Sequence, residues 1–380
     1  MTITFLVYNI YGIGGTVRTV VNTANFLVDH GYDVTIMSIR QTYIQPKFEI
    51  DGRVKLVSLY KTFEGIKASG LKKKIFTAMN KLPSILIDRH EDLYGMLSLY
   101  TDYLLYRKLK KMKSDVVIST FPSLNFLNVR FVSDKTIKIG QEHAQLSVHH
   151  NSIKRKIRKY YKRLSHLTVL TEREEKDYRD YIGNAVSIVL IPNGIPKNNI
   201  ELSEKQNIII SAGRFVHQKG YERLVSIYKL IADKYPEWEL RIYGSGPDYD
   251  MIRKAINDLE MYNNIFLFPN TNRIMEEMSK AKIFALPSRF EPFGMVVIEA
   301  LSVGLPVVSY DSYGPNNIIE NDVDGFIVPM EDEKNFALKL ELLMNDADKR
   351  KKMENYAKLK AEKYSVDEIG KLWIDLFQFR

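Results

Sequence analysis

The constraint that dominates this sequence is a repeated alternation. Short uninterrupted apolar runs give way to loops of turn formers, and each loop leads into residues that are apolar at helical spacing. Ile3–Ile10 breaks into Tyr11-Gly12-Ile13-Gly14-Gly15-Thr16. A helical stretch follows, with Val17, Val20, Val21, Ala24, Leu27 and Val28 on one face, and His30-Gly31 stops it. Further runs at 34–39, 54–59, 115–120, 136–140, 167–170 and 186–191 predict more strands. The series then starts again, with runs at 208–213, 240–243, 265–268, 283–287, 306–310 and 325–328. Between the first two of these, Leu224, Ile227, Tyr228 and Ile231 mark one stripe of a helix predicted over 221–234, and residues 332–380 read as largely helical. Strands that are apolar throughout belong to parallel sheets covered by helices on both faces. Two such series predict two doubly wound α/β domains. Ligands of that architecture bind outside the carboxyl ends of the strands, so the informative loops are those that follow strands.

A length of 380 residues accommodates two domains. Pro192-Asn193-Gly194-Ile195-Pro196-Lys197-Asn198-Asn199 is the best linker candidate, and the charge balance changes there. Residues 1–190 carry 30 Lys+Arg against 17 Asp+Glu, whereas residues 191–380 carry 25 against 29. The chain has no cysteine, which excludes disulfides and thiolate metal sites and is compatible with a reducing compartment. Met1–Val7 shows neither a basic n-region nor a small-residue cleavage site, and no apolar run approaches the roughly 20 residues of a spanning helix. A cytoplasmic protein is expected.

Four post-strand loops carry the chemistry. Gly12-x-Gly14-Gly15-Thr16 allows a phosphate or sugar to approach backbone N–H groups at a helix start, although a ligand-free tight turn uses the same residues. Ser211-Ala212-Gly213-Arg214-Phe215-Val216-His217-Gln218-Lys219-Gly220 presents two cations, Arg214 and Lys219, at one loop; such a pair suits a diphosphate. In Pro287-Ser288-Arg289-Phe290-Glu291-Pro292-Phe293-Gly294-Met295-Val296-Val297-Ile298-Glu299-Ala300, a strand ends and a helix starts near Gly294. Glu291 lies in that loop and Glu299 on the helix. Carboxylates of this kind accept from vicinal hydroxyls, while the N–H groups of Phe293, Gly294 and Met295 face anions. The fourth loop is Gln141-Glu142-His143. Isolated, each of these residues is an ordinary loop or surface residue; the second and third loops together are far more specific.

With those residues in view, the sequence resembles the retaining GT-B glycosyltransferases of the glycosyltransferase family 4 (group 1) type. Glu291 to Glu299 matches the family's E-x7-E signature, Gly213-Arg214 with Lys219-Gly220 its diphosphate pair, and Gly14-Gly15 its N-terminal glycine loop. Glu299–Val308 and Asp324–Val328 also resemble the family pattern, and the resemblance runs along essentially the whole chain. It implies two Rossmann-like domains facing a cleft: an acceptor domain at 1–190, a nucleotide-sugar domain at 191–365, and a terminal helix at 366–380 packed back on the first. It implies that Arg214 and Lys219 neutralise the leaving diphosphate, that Glu299 binds the ribose, and that Glu291 contacts the transferred sugar. His143 matches a position where the family often has an active-site histidine; His149 and His150 are nearby decoys. The donor is a nucleotide sugar, UDP-linked by default. Retention implies an α-linked product. Asp322-Val323-Asp324 and Asp248-Tyr249-Asp250 read D-x-D, but the former sits in a turn before a strand, and a cationic phosphate site makes a metal unnecessary. No metal or other cofactor is expected.

The basic half has two concentrations of charge. Residues 66–113 hold Lys67, Lys72, Lys73, Lys74, Lys81, Lys108, Lys110, Lys111 and Lys113. Residues 152–165 carry seven basic residues and no acid, with Ile153, Ile157, Tyr160, Tyr161 and Leu164 at helical spacing. That segment reads equally as a basic amphipathic helix on the inner face of an anionic membrane and as a domain helix packed on its sheet. The acceptor expected for such a surface is a cell-envelope glycan, lipid-linked or of the teichoic-acid or capsule type. Nucleic acid, suggested by charge alone, is not expected as a partner. The rival readings are a nucleotide-sugar epimerase and a non-catalytic partner subunit of a glycosyltransferase complex; the intact Arg214, Lys219, Glu291 and Glu299 argue against the second.

Overall fold

Each apolar run folds as a strand of a parallel sheet, and the chain divides into two units. A computed structural model describes residues 1–197, 200 and 203–378. Unit 1 comprises Met1–Gly194 and the chain from Ile369 onward; unit 2 is Ile195–Glu368. The boundary falls inside the linker candidate, of which Asn198 and Asn199 lie outside the described residues.

In unit 1 the strands are β1 Thr2–Val7, β2 Asp33–Gln41, β3 Lys55–Lys61, β4 Val116–Ser119, β5 Ile137–Gln141, β6 His166–Val169 and β7 Ser187–Leu190. They form one sheet in the order β3-β2-β1-β4-β5-β6-β7, with every pair parallel; Thr2 stands opposite Asp33, and Ile3 opposite Val116. The first strand is shorter than the apolar run of Ile3–Ile10. Beyond Val7 the side chains still point into the protein, but they serve the loop: Tyr8 Oη donates to Glu91 at 2.6 Å, and Ile10 N donates to Ser38 Oγ at 3.0 Å. From Ile369 on, the terminal helix Val366–Gln378 belongs to this unit. Gly370 lets it lie against Phe26, because a Cβ there would come within 2.2 Å of the Phe26 ring.

In unit 2 the strands are β8 Ile208–Ala212, β9 Glu239–Tyr243, β10 Ile265–Phe268, β11 Ile283–Leu286, β12 Val307–Tyr310 and β13 Gly325–Val328. Their order is β10-β9-β8-β11-β12-β13, again all parallel, with Ile283 opposite Ile209. The chain runs outward from β8 to β10, then returns to β11 beside β8. That reversal leaves a crevice at the carboxyl ends of β8 and β11, the switch point at which such sheets bind ligands. Both strands are buried along their whole length. The helix Tyr221–Ala232 covers one face through Leu224, Val225, Tyr228 and Ile231, against Trp238, Phe326 and Phe336. In unit 1 the corresponding switch point lies between β1 and β4, where the Gly12–Thr16 loop leads into the helix Gly15–Asp29.

The basic segment at 152–165 is a helix over Asn151–Tyr160, then a single 3-10 turn over Tyr161–Arg163. Its apolar stripe is not free. Ile153, Ile157, Tyr161 and Leu164 are buried in a cluster with Phe126, Val129 and Tyr178, so they are unavailable for insertion into a membrane, and the packed-helix reading holds. The stripe shares one buried cluster with Phe126 and Val129 of the helix Pro122–Phe131 and with Leu167, Val169 and Ile188 of the sheet.

Candidate functional site

The site in unit 2 is built from loops that brace one another. After β8, Gly213 N donates to Tyr243 O at 3.0 Å and Phe215 N donates to Ser245 O at 2.9 Å, which ties the loop to the end of β9. Phe215 is fully buried and anchors the turn, while Arg214 on its flank is exposed. A single 3-10 turn over His217–Lys219 brings the chain to Gly220, whose backbone is left-handed (φ 65°). There a Cβ would lie 2.5 Å from the carbonyl oxygen of Pro287, so glycine is required both for the conformation and for the approach of the β11 loop.

The two loops are then stitched together. Arg289 N donates to Gln218 O at 2.8 Å, Gln218 Nε2 donates to Phe290 O at 2.8 Å, and Arg289 Nη1 donates to His217 O at 2.6 Å. The Arg289 guanidinium also pairs with Glu222 in the first turn of the next helix. The outcome is a direct ion pair between Lys219 Nζ and the Glu291 carboxylate, both largely buried. Ser288 Oγ lies 3.4 Å from the same carboxylate oxygen.

Glu291 is held by its backbone from a third loop. Its N–H donates to Ser312 Oγ at 2.8 Å, and its carbonyl accepts from Ser312 Oγ at 3.1 Å and from Gly314 N at 3.0 Å. Gly314 permits this, since a Cβ there would fall 1.9 Å from Phe293 O. Phe293 is buried, with its ring edge-on to Tyr364 at 6.1 Å. Gly294, left-handed at φ 91°, starts the helix Met295–Ser302, whose first turn contains no acid and receives no side-chain cap. Such an N-terminus favours an anion. Glu299 lies one turn further along and is 5% exposed. Arg214, Lys219, Glu291, Phe293, Gly294, Met295 and Glu299 therefore all belong to unit 2, at the carboxyl ends of β8 and β11 or on the helices that follow.

Gly14, Gly15 and His143 belong to unit 1. No atom lies within 4 Å of where a Cβ would stand on Gly14 or Gly15, so packing does not require glycine there and the backbone is open to approach. His143 follows β5. Its Nε2 is buried without a hydrogen-bond partner, and burial pushes the imidazole down to about 3, so the ring is neutral. The neighbouring Glu142 is the centre of a buried network: it accepts from Tyr161 Oη and, at 3.1 Å, from Asn125 Nδ2, and stands 3.4 Å from His149 Nε2. Burial opposes the charge on His149, but the Glu142 carboxylate outweighs it and raises the histidine. His150 accepts from Ser152 N at 3.2 Å as the cap of Asn151–Tyr160 and stacks on His90 at 3.5 Å.

The first D-x-D pattern has local partners, and the second stands at a helix start. Asp322 (φ 68°) sits in the turn before β13 and pairs with Lys349 at 2.6 Å; Asp324 Oδ1 accepts from Glu320 N at 2.9 Å. Asp248 heads the helix Tyr249–Asp258. Sequence reasoning missed Gly244, Gly246, Ser312 and Gly314. The first two allow the β9 loop to pass under the β8 loop, with Cβ positions 2.0 Å from Gly213 O and 2.2 Å from Phe215 O. Each follows a strand and carries the same glycine signal as Gly12-x-Gly14.

A doubly wound sheet with glycine-built loops, a cation–carboxylate pair and an uncapped helix start at its switch point is the layout of α/β domains that bind nucleotides. The family comparisons specify which. Residues 195–360 match the model for glycosyl transferases group 1, and residues 13–198 match that for glycosyltransferase family 4. The chain belongs to this family of glycosyltransferases and has its GT-B fold of two parallel-sheet α/β domains. It is 27% identical over 375 residues to an uncharacterized glycosyltransferase of Haemophilus influenzae, covering 97% of this chain and 98% of that one. It is 30% identical over 239 residues to a poly(glycerol-phosphate) alpha-glucosyltransferase of Bacillus subtilis, covering 59% of this chain and 35% of that one. Among solved structures, a mutant S. aureus TarM with fondaparinux, alpha-GlcNAc-glycerol and UDP superposes with a TM-score of 0.78 at 18% identity, covering 99% of both chains. No described helix is long and apolar enough to cross a membrane.

Proposed function

We propose that this glycosyltransferase is a retaining enzyme that moves a sugar from a nucleotide-sugar donor, UDP-linked, to a cell-envelope acceptor and forms an α-glycosidic bond. The acceptor is a lipid-linked glycan or an anionic polymer of the teichoic-acid or capsule type. The observation that carries the reading is the Lys219–Glu291 pair at the β8/β11 switch point, followed by Glu299 on the adjoining helix. The UDP held by TarM and the alpha-glucosyl, glycerol-phosphate chemistry named for the B. subtilis relative support the donor, the linkage and the acceptor class.

In this reading the ion pair is the resting form of the site. An arriving diphosphate competes with Glu291 for Lys219, and Arg214 adds a second, exposed cation. Lys219 then faces the phosphate, while Glu291 is free to accept hydrogen bonds from the sugar hydroxyls. Glu299 accepts from the ribose. The acceptor oxygen attacks the anomeric carbon on the face the donor leaves. The new C–O bond forms as the bond to the diphosphate breaks, and the acceptor's proton passes to the departing phosphate oxygen. The protein supplies charge stabilisation and positioning, with no metal required. His143, neutral, suits a hydroxyl better than a phosphate.

The test is a panel of UDP-, GDP- and ADP-sugars, each with and without a polyol-phosphate or lipid-linked acceptor, read by nucleotide release and product anomer. UDP release that depends on acceptor, with an α-linked product, is expected. Conversion of donor alone to an isomer would identify an epimerase, and a β-linked product would overturn retention.

A further inference from the structure

Doubly wound sheets bind their ligands at the carboxyl ends of the strands, so a concentration of charge at the amino ends lies outside that site. Unit 2 has one. Lys205 stands three residues before β8, Lys282 immediately before β11 and Pro306 immediately before β12, and these three strands are neighbours in the sheet. Arg350 and Lys351 reach the same place from the first two turns of the helix Ala347–Glu362. With Gly304 and Glu354 they line a pocket of about 140 Å³. Strands of five and four residues, β8 and β11, set it about 13–17 Å from the loops of Lys219 and Glu291.

The cations there are held in position but not neutralised. Lys205 Nζ donates to Gly304 O at 3.0 Å and Lys282 Nζ to Asn207 Oδ1 at 2.6 Å, so each ammonium group uses one of its three donors on a neutral acceptor. Arg350 Nη1 donates to Met344 O at 2.9 Å and to Leu343 O, at the end of the helix Glu333–Asn345. The buried indole of Trp238 packs under two of the cations: Lys282 Nζ and the Arg350 guanidinium lie 5.7 and 5.8 Å from its centroid. Among the described residues, no carboxylate forms an ion pair with Lys205, Lys282 or Arg350. Glu354, the acid of the pocket, is shared by Lys358 at 2.8 Å and Lys351 at 3.5 Å. Asp346 accepts from Lys349 N at 2.8 Å as the helix cap. Burial pushes the Lys205 ammonium down to about 8; Glu354 opposes that shift, and Lys358, Lys351 and Arg350 add to it. An entering anion would relieve both the burial and the crowding of positive charge. Four cations around so small a space suit a compact, multiply charged anion. The volume is below the roughly 300–1,000 Å³ of pockets for drug-sized ligands, which favours a single phosphoryl group over a nucleotide.

We propose that this pocket is a second anion site, which binds a phosphate ion or the phosphoryl group of a small phosphate ester between Lys205, Lys282, Arg350 and Lys351. The site is separate from the transfer reaction and does not rest on it, and its test needs neither donor nor acceptor, so its failure would leave the reading of the transferase site untouched.

The experiment is equilibrium dialysis of the full chain against radiolabelled inorganic phosphate, with ionic strength held constant by chloride. Lys219 would also attract phosphate, so variants decide where the label sits. Lys205→Met and Lys282→Met should each weaken one class of phosphate binding about tenfold, the loss of one hydrogen bond to a charged group. Lys219→Ala should leave that class intact. Lys351 is exposed, so Lys351→Glu should melt like wild type and weaken the same class at least as much; it keeps the test open if either of the other lysines proves necessary for folding. Unlabelled glycerol 3-phosphate separates the two sources of the phosphoryl group. Displacement of the label at lower concentration than unlabelled phosphate requires assigns the pocket to an ester, and the reverse assigns it to the free ion. Phosphate binding that is unchanged in all three pocket variants, or abolished by Lys219→Ala alone, would overturn the proposal. So would a wild-type chain that binds no phosphate up to the millimolar range.

Discussion

Lys219 has two claimants, the carboxylate it holds and the diphosphate it is proposed to receive, and this sets the sharpest expectations at the scale of single residues. Removing the cation should cost transition-state stabilisation: Lys219→Ala and Arg214→Ala should each lower kcat by roughly 10²–10³. Arg214 is exposed, so its loss should leave the melting temperature unchanged. Lys219 is largely buried against Glu291, so its variant should also lose some stability, because a carboxylate is left without its partner. The two glutamates should separate. Glu299→Gln should weaken binding of free nucleotide diphosphate, while Glu291→Gln should lower turnover and leave that affinity nearly intact. Calorimetry with the free nucleotide distinguishes them, and equal losses in both would show that the roles are misassigned.

At the scale of elements, the site depends on three loops fitting against one another. Gly314 has no room for a Cβ beside Phe293 O, so Gly314→Ala should displace the 291–294 loop and destabilise unit 2 by about 1–3 kcal/mol. A thermal melt with a turnover assay would show both losses together; a variant that melts and turns over like wild type would contradict the bracing argument. In unit 1, Glu174 is buried, with Leu170 N donating to it at 3.0 Å, and burial pushes it up to about 7. The folded state then holds a proton that the unfolded chain has released, so stability is greatest below the ordinary glutamate range and falls as pH rises towards 7, by up to about 3 kcal/mol. Glu174→Gln should flatten the melting temperature between pH 5 and 8; an unchanged slope would contradict the assignment. The strands were legible because their apolar runs are unbroken, and Gly294 was legible as a helix start from the turn formers before it. The bracing residues were not, because Ser312 acts through its hydroxyl on the Glu291 backbone and Gly314 through its own N–H, long-range contacts that no local pattern encodes. The stripe at Ile153 and Ile157 has the same period whether it meets a membrane or a sheet; only the presence of Phe126 and Val129 opposite decides it.

For the whole molecule, the family and its fold account for the two parallel sheets, and the excess of positive charge lies in residues 1–190. If the diphosphate is neutralised by Arg214, Lys219 and the start of Met295–Ser302, transfer should persist in excess EDTA, and Asp322→Asn should be mild. Complete loss in chelator, restored by Mn²⁺ or Mg²⁺, would contradict that. The most direct measurement is the rate of acceptor-dependent UDP release from the best UDP-sugar, for wild type and for Lys219→Ala confirmed to be folded at the assay temperature. Wild type should release UDP in proportion to glycosylated acceptor, and the variant should do so roughly 10²–10³ times more slowly. A folded Lys219→Ala enzyme with wild-type turnover would contradict the assignment of the donor site to the β8/β11 switch point.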